Sequence, residues 1–223
     1  MLEAAIFDWD GTLADTRATI ILSFQQALKE NHIITADISD EYIERRIGIG
    51  ATKTFREILR EIKHPVDESL VKRLVESKSQ TQINLKHQIQ LFPDVIDVLE
   101  TLQDKIRLGL ASMNNKSVID AVVNDKGLEK YFQVIVTADA VRQSKPHPEI
   151  FLKCAQQLNT LPSKCVVIED SLFGVKAAKN ASMKCIAVTT GAYSKEELEQ
   201  ENPDAVVANL KQAKFLLQSP AFV

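Results

Sequence analysis

Six short runs of apolar residues recur along the chain and predict strands. They occupy residues 3–7, 107–112, 133–137, 164–169, 184–189 and 204–208. The runs are mostly continuous rather than alternating, which is typical of strands covered on both faces. Between them, apolar residues recur at spacings of three and four, as in helices that bury one face. This alternation of strand and helix predicts an α/β fold with a doubly wound parallel sheet, a Rossmann-like core.

Residues 17–89 interrupt the alternation. This segment has no convincing strand but three helical stripes, which lie at residues 20–28, 55–62 and 70–75. We therefore predict a helical bundle inserted directly after the first strand. Pro93 marks the return to the sheet, because the residue before a proline is disfavoured in a helix. The predicted sheet domain comprises residues 1–16 and 90–223, and the predicted insert comprises residues 17–89.

Composition narrows the classes of function. The 223 residues are 45% hydrophobic and 26% charged, which is sufficient for an ordinary buried core. The formal net charge is −3 and no long basic run is present, so we expect no nucleic-acid partner. No apolar run reaches the roughly 18 residues of a membrane span, and no signal-like start is visible, so we expect no membrane partner and a cytoplasmic location. The three cysteines include no C-x-x-C pair and are predicted to be reduced core residues.

Polar residues cluster where the predicted strands end. In a doubly wound sheet the carboxyl ends of the strands meet at one edge, and ligands bind there. Six such residues are expected at this edge: Asp8, Asp10, Ser112, Lys145, Glu169 and Asp170. Carboxylates as close in sequence as Asp8 and Asp10 repel each other unless a cation or a substrate offsets their charge. Mg²⁺ accepts one or two carboxylates together with a phosphate, so we predict a Mg²⁺ site and a phosphate-bearing ligand.

The position of each residue suggests a chemical role. Asp8, at the strand end, suits a carboxylate nucleophile that attacks phosphorus. Asp10 suits a general acid/base that protonates the leaving oxygen and then activates water, a contribution of roughly 10² to 10⁴ in rate. Gly11 allows a turn that brings backbone N–H groups close to the phosphate. Ser112 and Lys145 would hold the phosphoryl oxygens by a hydrogen bond and by positive charge.

Four segments resemble the motifs of one superfamily, in order along the chain. "FDWDGTLADT", "LASMNN", "SKPHPEIF" and "VVIEDSLFGVKAAKNA" are similar to the four motifs of the haloacid dehalogenase superfamily. The likeness is to its branch of phosphatases and phosphohexomutases, which includes β-phosphoglucomutase and phosphoglycolate phosphatase. It spans nearly the whole chain, and the helical insert falls where that branch carries its cap domain.

The resemblance implies a role for each matching residue. Asp8 would be the nucleophile that forms an aspartyl-phosphate, and Asp10 would be the general acid/base. The implied Mg²⁺ ligands are Asp8, Asp10 through its backbone carbonyl, Glu169 and Asp170. The implied phosphate-binding residues are Gly11, Ser112, Asn114 and Lys145. The implied partner is a small phosphorylated metabolite. The sequence leaves the oligomeric state open and favours a monomer.

Departures from the relatives favour hydrolysis over transfer. Asp10 argues against the dehalogenases, which lack this second aspartate, and against the phosphonate hydrolases, which have a small residue there. β-Phosphoglucomutases carry a cap histidine where this chain has Ile20, and basic residues around the cap glycine where Gly48 has Ile47 and Ala51 nearby. A mutase must keep water away from its phospho-enzyme. Without those groups, we predict a phosphatase, with a phosphohexomutase as the alternative.

Several alternatives stay open from the sequence. Glu169 is either a metal ligand or a group that supports the ligands. Arg45, Arg46 and Lys53 face either the substrate or solvent. A phosphorelay receiver domain also builds an aspartate cluster with a lysine around Mg²⁺, but it needs no inserted helical bundle of this size. The substrate candidates extend from phosphoglycolate to sugar phosphates and nucleoside monophosphates.

Overall fold

A computed structural model of the protein describes residues 1–34, 38–219 and 222. Residue 223, the predicted end of the sheet domain, lies outside this range. The strands are β1 (Ala4–Phe7), β2 (Ala14–Asp15), β3 (Gln90–Leu91), β4 (Arg107–Ala111), β5 (Val134–Val136), β6 (Cys165–Glu169), β7 (Lys184–Val188) and β8 (Ala205–Val207). Six of them form one parallel sheet in the order β5-β4-β1-β6-β7-β8. The predicted α/β fold with a doubly wound parallel sheet is confirmed.

The strand order reverses at β1. From β1 the chain builds outward through β4 and β5, and it then returns to build β6, β7 and β8 on the other side. Such a reversal opens a crevice beyond the carboxyl ends of the central strands, where ligands bind in this class of fold. β1 pairs with both β4 and β6, so the residues that follow these three strands are neighbours.

Helices cover both faces of the sheet. The helices of the described residues are α1 (Arg17–Glu30), α2 (Asp40–Glu44), α3 (Ala51–Glu61), α4 (Glu68–Asn84), α5 (Val95–Gln103), α6 (Lys116–Asp125), α7 (Glu149–Gln157), α8 (Leu172–Asn180), α9 (Lys195–Glu199) and α10 (Leu210–Gln218). Alternate residues of β1 point to opposite sides, so that Phe7 packs with α5, α6 and α10 whereas Ile6 packs with α7 and α8. Burial on both faces explains why the strands read as continuous apolar runs.

The segment from α1 to α4 has an apolar cluster of its own. Phe24, Leu28, Phe55, Leu59 and Leu74 are buried together there, apart from the two clusters that flank the sheet. The helical stripes predicted in this segment therefore form real helices that pack on one another. The pattern of apolar residues did not predict the short helix α2. The division into a sheet domain and a cap domain at residues 16/17 and 89/90 stays a prediction.

A two-stranded ribbon stands at the base of the helical segment. β2 pairs antiparallel with β3, and the two strands flank the point where the chain leaves the sheet region and the point where it returns. Two-residue strands are too short to leave an apolar period in the sequence, which is why the ribbon was not predicted. It holds the ends of the helical segment side by side.

The predictions for the three cysteines and for the start of α9 are also confirmed. Cys154, Cys165 and Cys185 are buried free thiols, and burial raises their pKa, so they stay protonated core residues. Ser194 and Glu197 form the predicted capping box at the start of α9. Among the described residues, no helix has the length and apolar character needed to cross a membrane.

Candidate active site

The site begins with the loop that follows β1. Asp8 comes directly after the strand, and its backbone N–H donates to the carbonyl of Ile168 in β6 at 3.0 Å. The loop then turns sharply, with Gly11 at a φ of +76°. A Cβ atom at Gly11 would overlap the carboxylate of Asp170, which follows β6. The turn therefore needs glycine both for its backbone conformation and to admit a neighbouring carboxylate.

Lys145 lies between two carboxylates beneath this loop. Its Nζ atom donates to Asp8 Oδ1 and to Glu169 Oε1, each at 2.6 Å. The lysine side chain is fully buried, with 0% exposure, and so is that of Glu169. Burial lowers the pKa of Lys145, but the charges of Asp8 and Glu169 outweigh burial and raise it above its usual value. Lys145 is therefore a permanent cation inside the site.

Glu169 is held rigidly by the chain around it. Its Oε2 atom accepts hydrogen bonds from the backbone N–H of Asp170 and of Ser171, both at 2.8 Å, and from the Ser171 hydroxyl at 3.0 Å. A Cβ atom at Gly174 would overlap this carboxylate, so the glycine leaves room for it. With four donors in place, counting Lys145, Glu169 has the bonding of a group that orients its neighbours.

Three carboxylates meet at this point. One oxygen from each of Asp8, Glu169 and Asp170 lies within 4.8 Å of the others, and all three residues are buried. Burial raises the pKa of Asp8 and of Asp170, and the negative charges of neighbouring carboxylates raise it further in both. Lys145 offsets only part of this repulsion, which a divalent cation bound by hard oxygen ligands would relieve. The donor set thus fits Mg²⁺.

Asp10 is fixed by two donors on its two oxygens. The Thr16 hydroxyl donates to Oδ1 at 2.8 Å, and Asn114 Nδ2 donates to Oδ2 at 2.6 Å. Burial raises the pKa of Asp10, and the charge of Lys78 opposes part of that rise. A raised pKa brings the group closer to the range in which it can both give and take a proton.

Lys78, like Thr16, is a residue of the site that the sequence analysis did not predict. It projects from α4, is only 3% exposed, and donates to Asn114 Oδ1 at 2.8 Å and to the side-chain oxygen of Gln82. Asn114 therefore bridges the helical segment and Asp10. Burial lowers the pKa of Lys78 to about 8, against the opposing charge of Asp10. A signal was present in the sequence, because Lys78 follows Leu74 by four residues and so continues the buried stripe of α4.

The phosphate-binding residues predicted from the sequence lie close to these groups. Ser112 is fully buried at the end of β4, and its hydroxyl accepts from the backbone N–H of Asn114 at 3.2 Å. The side-chain amide of Asn114 already has a partner on each side, namely Asp10 and Lys78. Its role as a phosphate ligand stays a prediction, and its hydrogen bonds make it a bridge between the sheet and α4.

The helical segment closes over the site through contacts with the sheet region. Arg45 binds Glu197 at 2.6 Å, its guanidinium stacks on Tyr193, and the Tyr193 hydroxyl donates to the Arg45 carbonyl at 2.6 Å. Arg46 instead pairs with Glu57 at 2.9 Å, within the helical segment.

A cavity beside Asp10 is lined by Ile20 and Lys78 from the helical segment. Ile20 is buried and has no polar side-chain atom, so it offers no hydrogen bond to Asp10. The acid/base candidate is held by Thr16 and Asn114 instead.

The buried state of Lys78 predicts a pH dependence of stability. Its pKa is about 8 in the folded protein and about 10.4 in the unfolded chain. Between these values the unfolded chain binds more protons, so the free energy of unfolding rises with pH. Relative to Lys78→Met, the wild type should gain roughly 1 to 3 kcal/mol of stability between about pH 7.5 and 10.5. Urea unfolding of both proteins across this range measures the difference, and parallel pH curves would contradict it.

Comparisons with known proteins agree with the geometry. Residues 5–188 match the family described as haloacid dehalogenase-like hydrolase. Pyrophosphatase PpaX of Oceanobacillus iheyensis is 28% identical over 213 residues, 94% of each chain. Fructose-1-phosphate phosphatase YqaB of Escherichia coli is 28% identical over 82% of this chain and 94% of its own. The crystal structure of β-phosphoglucomutase from Clostridium difficile has a TM-score of 0.85, with 30% identity over 96% of this chain and 94% of that one. The chain belongs to the family of haloacid dehalogenase-like hydrolases.

Proposed function

We propose that the protein is a Mg²⁺-dependent phosphatase that hydrolyses a small phosphate monoester through an aspartyl-phosphate on Asp8. The observation that carries the proposal is the buried cluster of Asp8, Glu169 and Asp170 around the cation of Lys145. Buried carboxylates with raised pKa values at a strand-end crevice are typical of a catalytic site. Phosphatases among the relatives, such as YqaB, support the same reaction class.

The metal site would be formed by residues from two strand ends. Asp8 and Asp170 would hold Mg²⁺ through their carboxylates, and Asp10 through its backbone carbonyl. The four hydrogen bonds on Glu169 favour its interpretation as a supporting group that orients Lys145. When bound, Mg²⁺ would supply the positive charge that lets an anionic nucleophile approach a phosphate dianion.

The chain's own residues would carry out two steps. In the first, an Asp8 oxygen bonds to phosphorus as the ester oxygen leaves, and Asp10 gives that oxygen its proton. In the second, Asp10 takes a proton from water as the water oxygen bonds to phosphorus and the bond to Asp8 breaks, which releases inorganic phosphate. The raised pKa of Asp10 supports the first role, and Lys145 keeps Asp8 oriented throughout.

A phosphohexomutase is the second candidate. It is favoured by the similarity to the β-phosphoglucomutase of Clostridium difficile. Ile20 argues against it, since this buried side chain lines the cavity beside Asp10 and cannot hold the acid/base away from the phospho-enzyme. A receiver domain is disfavoured, because the helical segment from α1 to α4 closes over the site.

Replacing the nucleophile tests the mechanism. Asp8→Asn keeps the shape of the side chain but removes its nucleophilic charge, so kcat with p-nitrophenyl phosphate should fall by at least about 10³-fold. The control Asp120→Asn changes an exposed carboxylate and should retain wild-type turnover. Circular dichroism should show that both variants are folded. Turnover by Asp8→Asn at a near wild-type rate would exclude Asp8 as the nucleophile.

Removal of metal tests the cofactor. Exhaustive chelation should abolish hydrolysis of p-nitrophenyl phosphate, and added Mg²⁺ should restore it, because the carboxylate cluster needs a cation to accept a phosphate dianion. Dialysis without chelator serves as the control. Full activity in the chelated protein would mean that the cluster of Asp8, Glu169 and Asp170 has another purpose.

The two candidate functions predict different products. With β-glucose 1-phosphate and a trace of the 1,6-bisphosphate, we expect inorganic phosphate to form in large excess over glucose 6-phosphate. The physical reason is that Ile20 provides no hydrogen bond to hold Asp10 away from water. Both products can be followed in one reaction. Predominant glucose 6-phosphate with little free phosphate would identify a mutase.

A further inference from the structure

A second cleft, of about 250 Å³, lies between the helical segment and the sheet region. On one side is the first part of α3 with Lys53 and Arg56. On the other side is the loop between β5 and α7, which contributes Arg142 and Ser144. Neither the proposed nucleophile nor the proposed metal ligands line this cleft. It is therefore separate from the carboxylate cluster.

The charged side chains that line the cleft are all positive. In the described part of the chain, no aspartate or glutamate lines it, although the whole protein has a net charge of −3. Arg56 is already bound to Glu68 through two hydrogen bonds. No described carboxylate lies within 4.0 Å of the charged groups of Lys53 or Arg142. Two cations thus remain available to an anion in the cleft.

Nearby groups do not cancel these two charges. Lys53 lies 5.9 Å from the ring centre of Phe173, a contact that leaves its charge in place. The Glu149 carboxylate is bound by the backbone N–H groups of Arg142 and Gln143 rather than by the Arg142 guanidinium. The exposed Arg142 side chain lines the cleft, and its charge is not neutralised by Glu149 through an ion pair.

The cleft adjoins the candidate active site. It shares Gly50, Ala51 and Met113 with the cavity that contains Asp10. Ser144, in its wall, directly precedes Lys145 in the chain. A substrate held in the cavity of Asp10 would therefore have this cleft beside it.

We propose that the cleft binds a second anionic group of the substrate, a carboxylate or a phosphate, through Lys53 and Arg142. The inference rests on the proposed phosphatase function and specifies its substrate class as phosphate monoesters with a further negative charge. Arginine and lysine are the side chains that bind such groups by charge-assisted hydrogen bonds. Because Lys53 belongs to the helical segment and Arg142 to the sheet region, the anion also links the two.

The inference is tested by measuring how tightly ligands bind to a variant that cannot hydrolyse them. In the Asp8→Asn background with Mg²⁺, calorimetry would give Kd values for two matched pairs of ligands. One pair is 2-phosphoglycolate and 2-hydroxyethyl phosphate, and the other is fructose 1,6-bisphosphate and fructose 1-phosphate. The member with the second anion should bind about tenfold more tightly in at least one pair. The pair with the larger ratio identifies the anion as carboxylate or phosphate.

Variants assign the effect to the cleft. Lys53→Gln and Arg142→Gln, each added to Asp8→Asn, should bring that ratio of Kd values close to one. Arg60→Gln, which changes an exposed cation on the same helix as Lys53, should leave the ratio unchanged. Equal Kd values within both pairs, or a ratio that survives both variants, would overturn the inference. Wild-type hydrolysis of p-nitrophenyl phosphate is judged separately, so failure of the phosphatase proposal is distinguishable from failure of this one.

Discussion

The structure depends on one buried electrostatic arrangement, the lysine that joins two carboxylates beneath the sheet edge. Lys145 contacts Asp8 and Glu169 at 2.6 Å, and all three side chains are buried. Charges removed from water cost several kcal/mol each unless close partners and hydrogen bonds compensate them. The strand order supplies that compensation, because β1 and β6 are adjacent and bring Asp8 and Glu169 to the same point. The surrounding backbone completes it through the donors on Glu169.

Glycines make room for these charged side chains, and the helical segment adds one more charge above them. Gly11 and Gly174 leave room for the carboxylates of Asp170 and Glu169, where any Cβ atom would overlap them. The helical segment contributes a buried lysine of α4, which reaches the acid/base candidate through an asparagine side chain. Acid/base chemistry would thus depend on a contact between α4 and the residues that follow β4. Charge selection by the neighbouring cleft would likewise use residues from the helical segment and from the sheet region.

Much of this arrangement could be predicted from the sequence. Continuous apolar runs revealed the strands, and parallel strands necessarily bring Asp8, Glu169 and Asp170 to one edge. Lys78 could not be placed in the same way, because its position relative to Asp10 depends on how the helices pack onto the sheet. The β2–β3 ribbon could not be predicted for a different reason, because strands of two residues are too short to show a period of apolar residues. The local pattern of apolar residues thus predicts the strands and longer helices. Contacts between the helical segment and the sheet region can be identified only from the structure.

The proposed mechanism depends on the transfer of phosphate to Asp8. The most direct measurement is to quench the enzyme in acid during turnover of p-nitrophenyl phosphate, reduce acyl phosphates with borohydride, and sequence the peptides by mass spectrometry. Reduction converts a phosphorylated aspartate to homoserine, so we expect homoserine at position 8 and unchanged aspartate at position 10. Homoserine at another position, or unmodified Asp8 in an enzyme that is turning over, would contradict it.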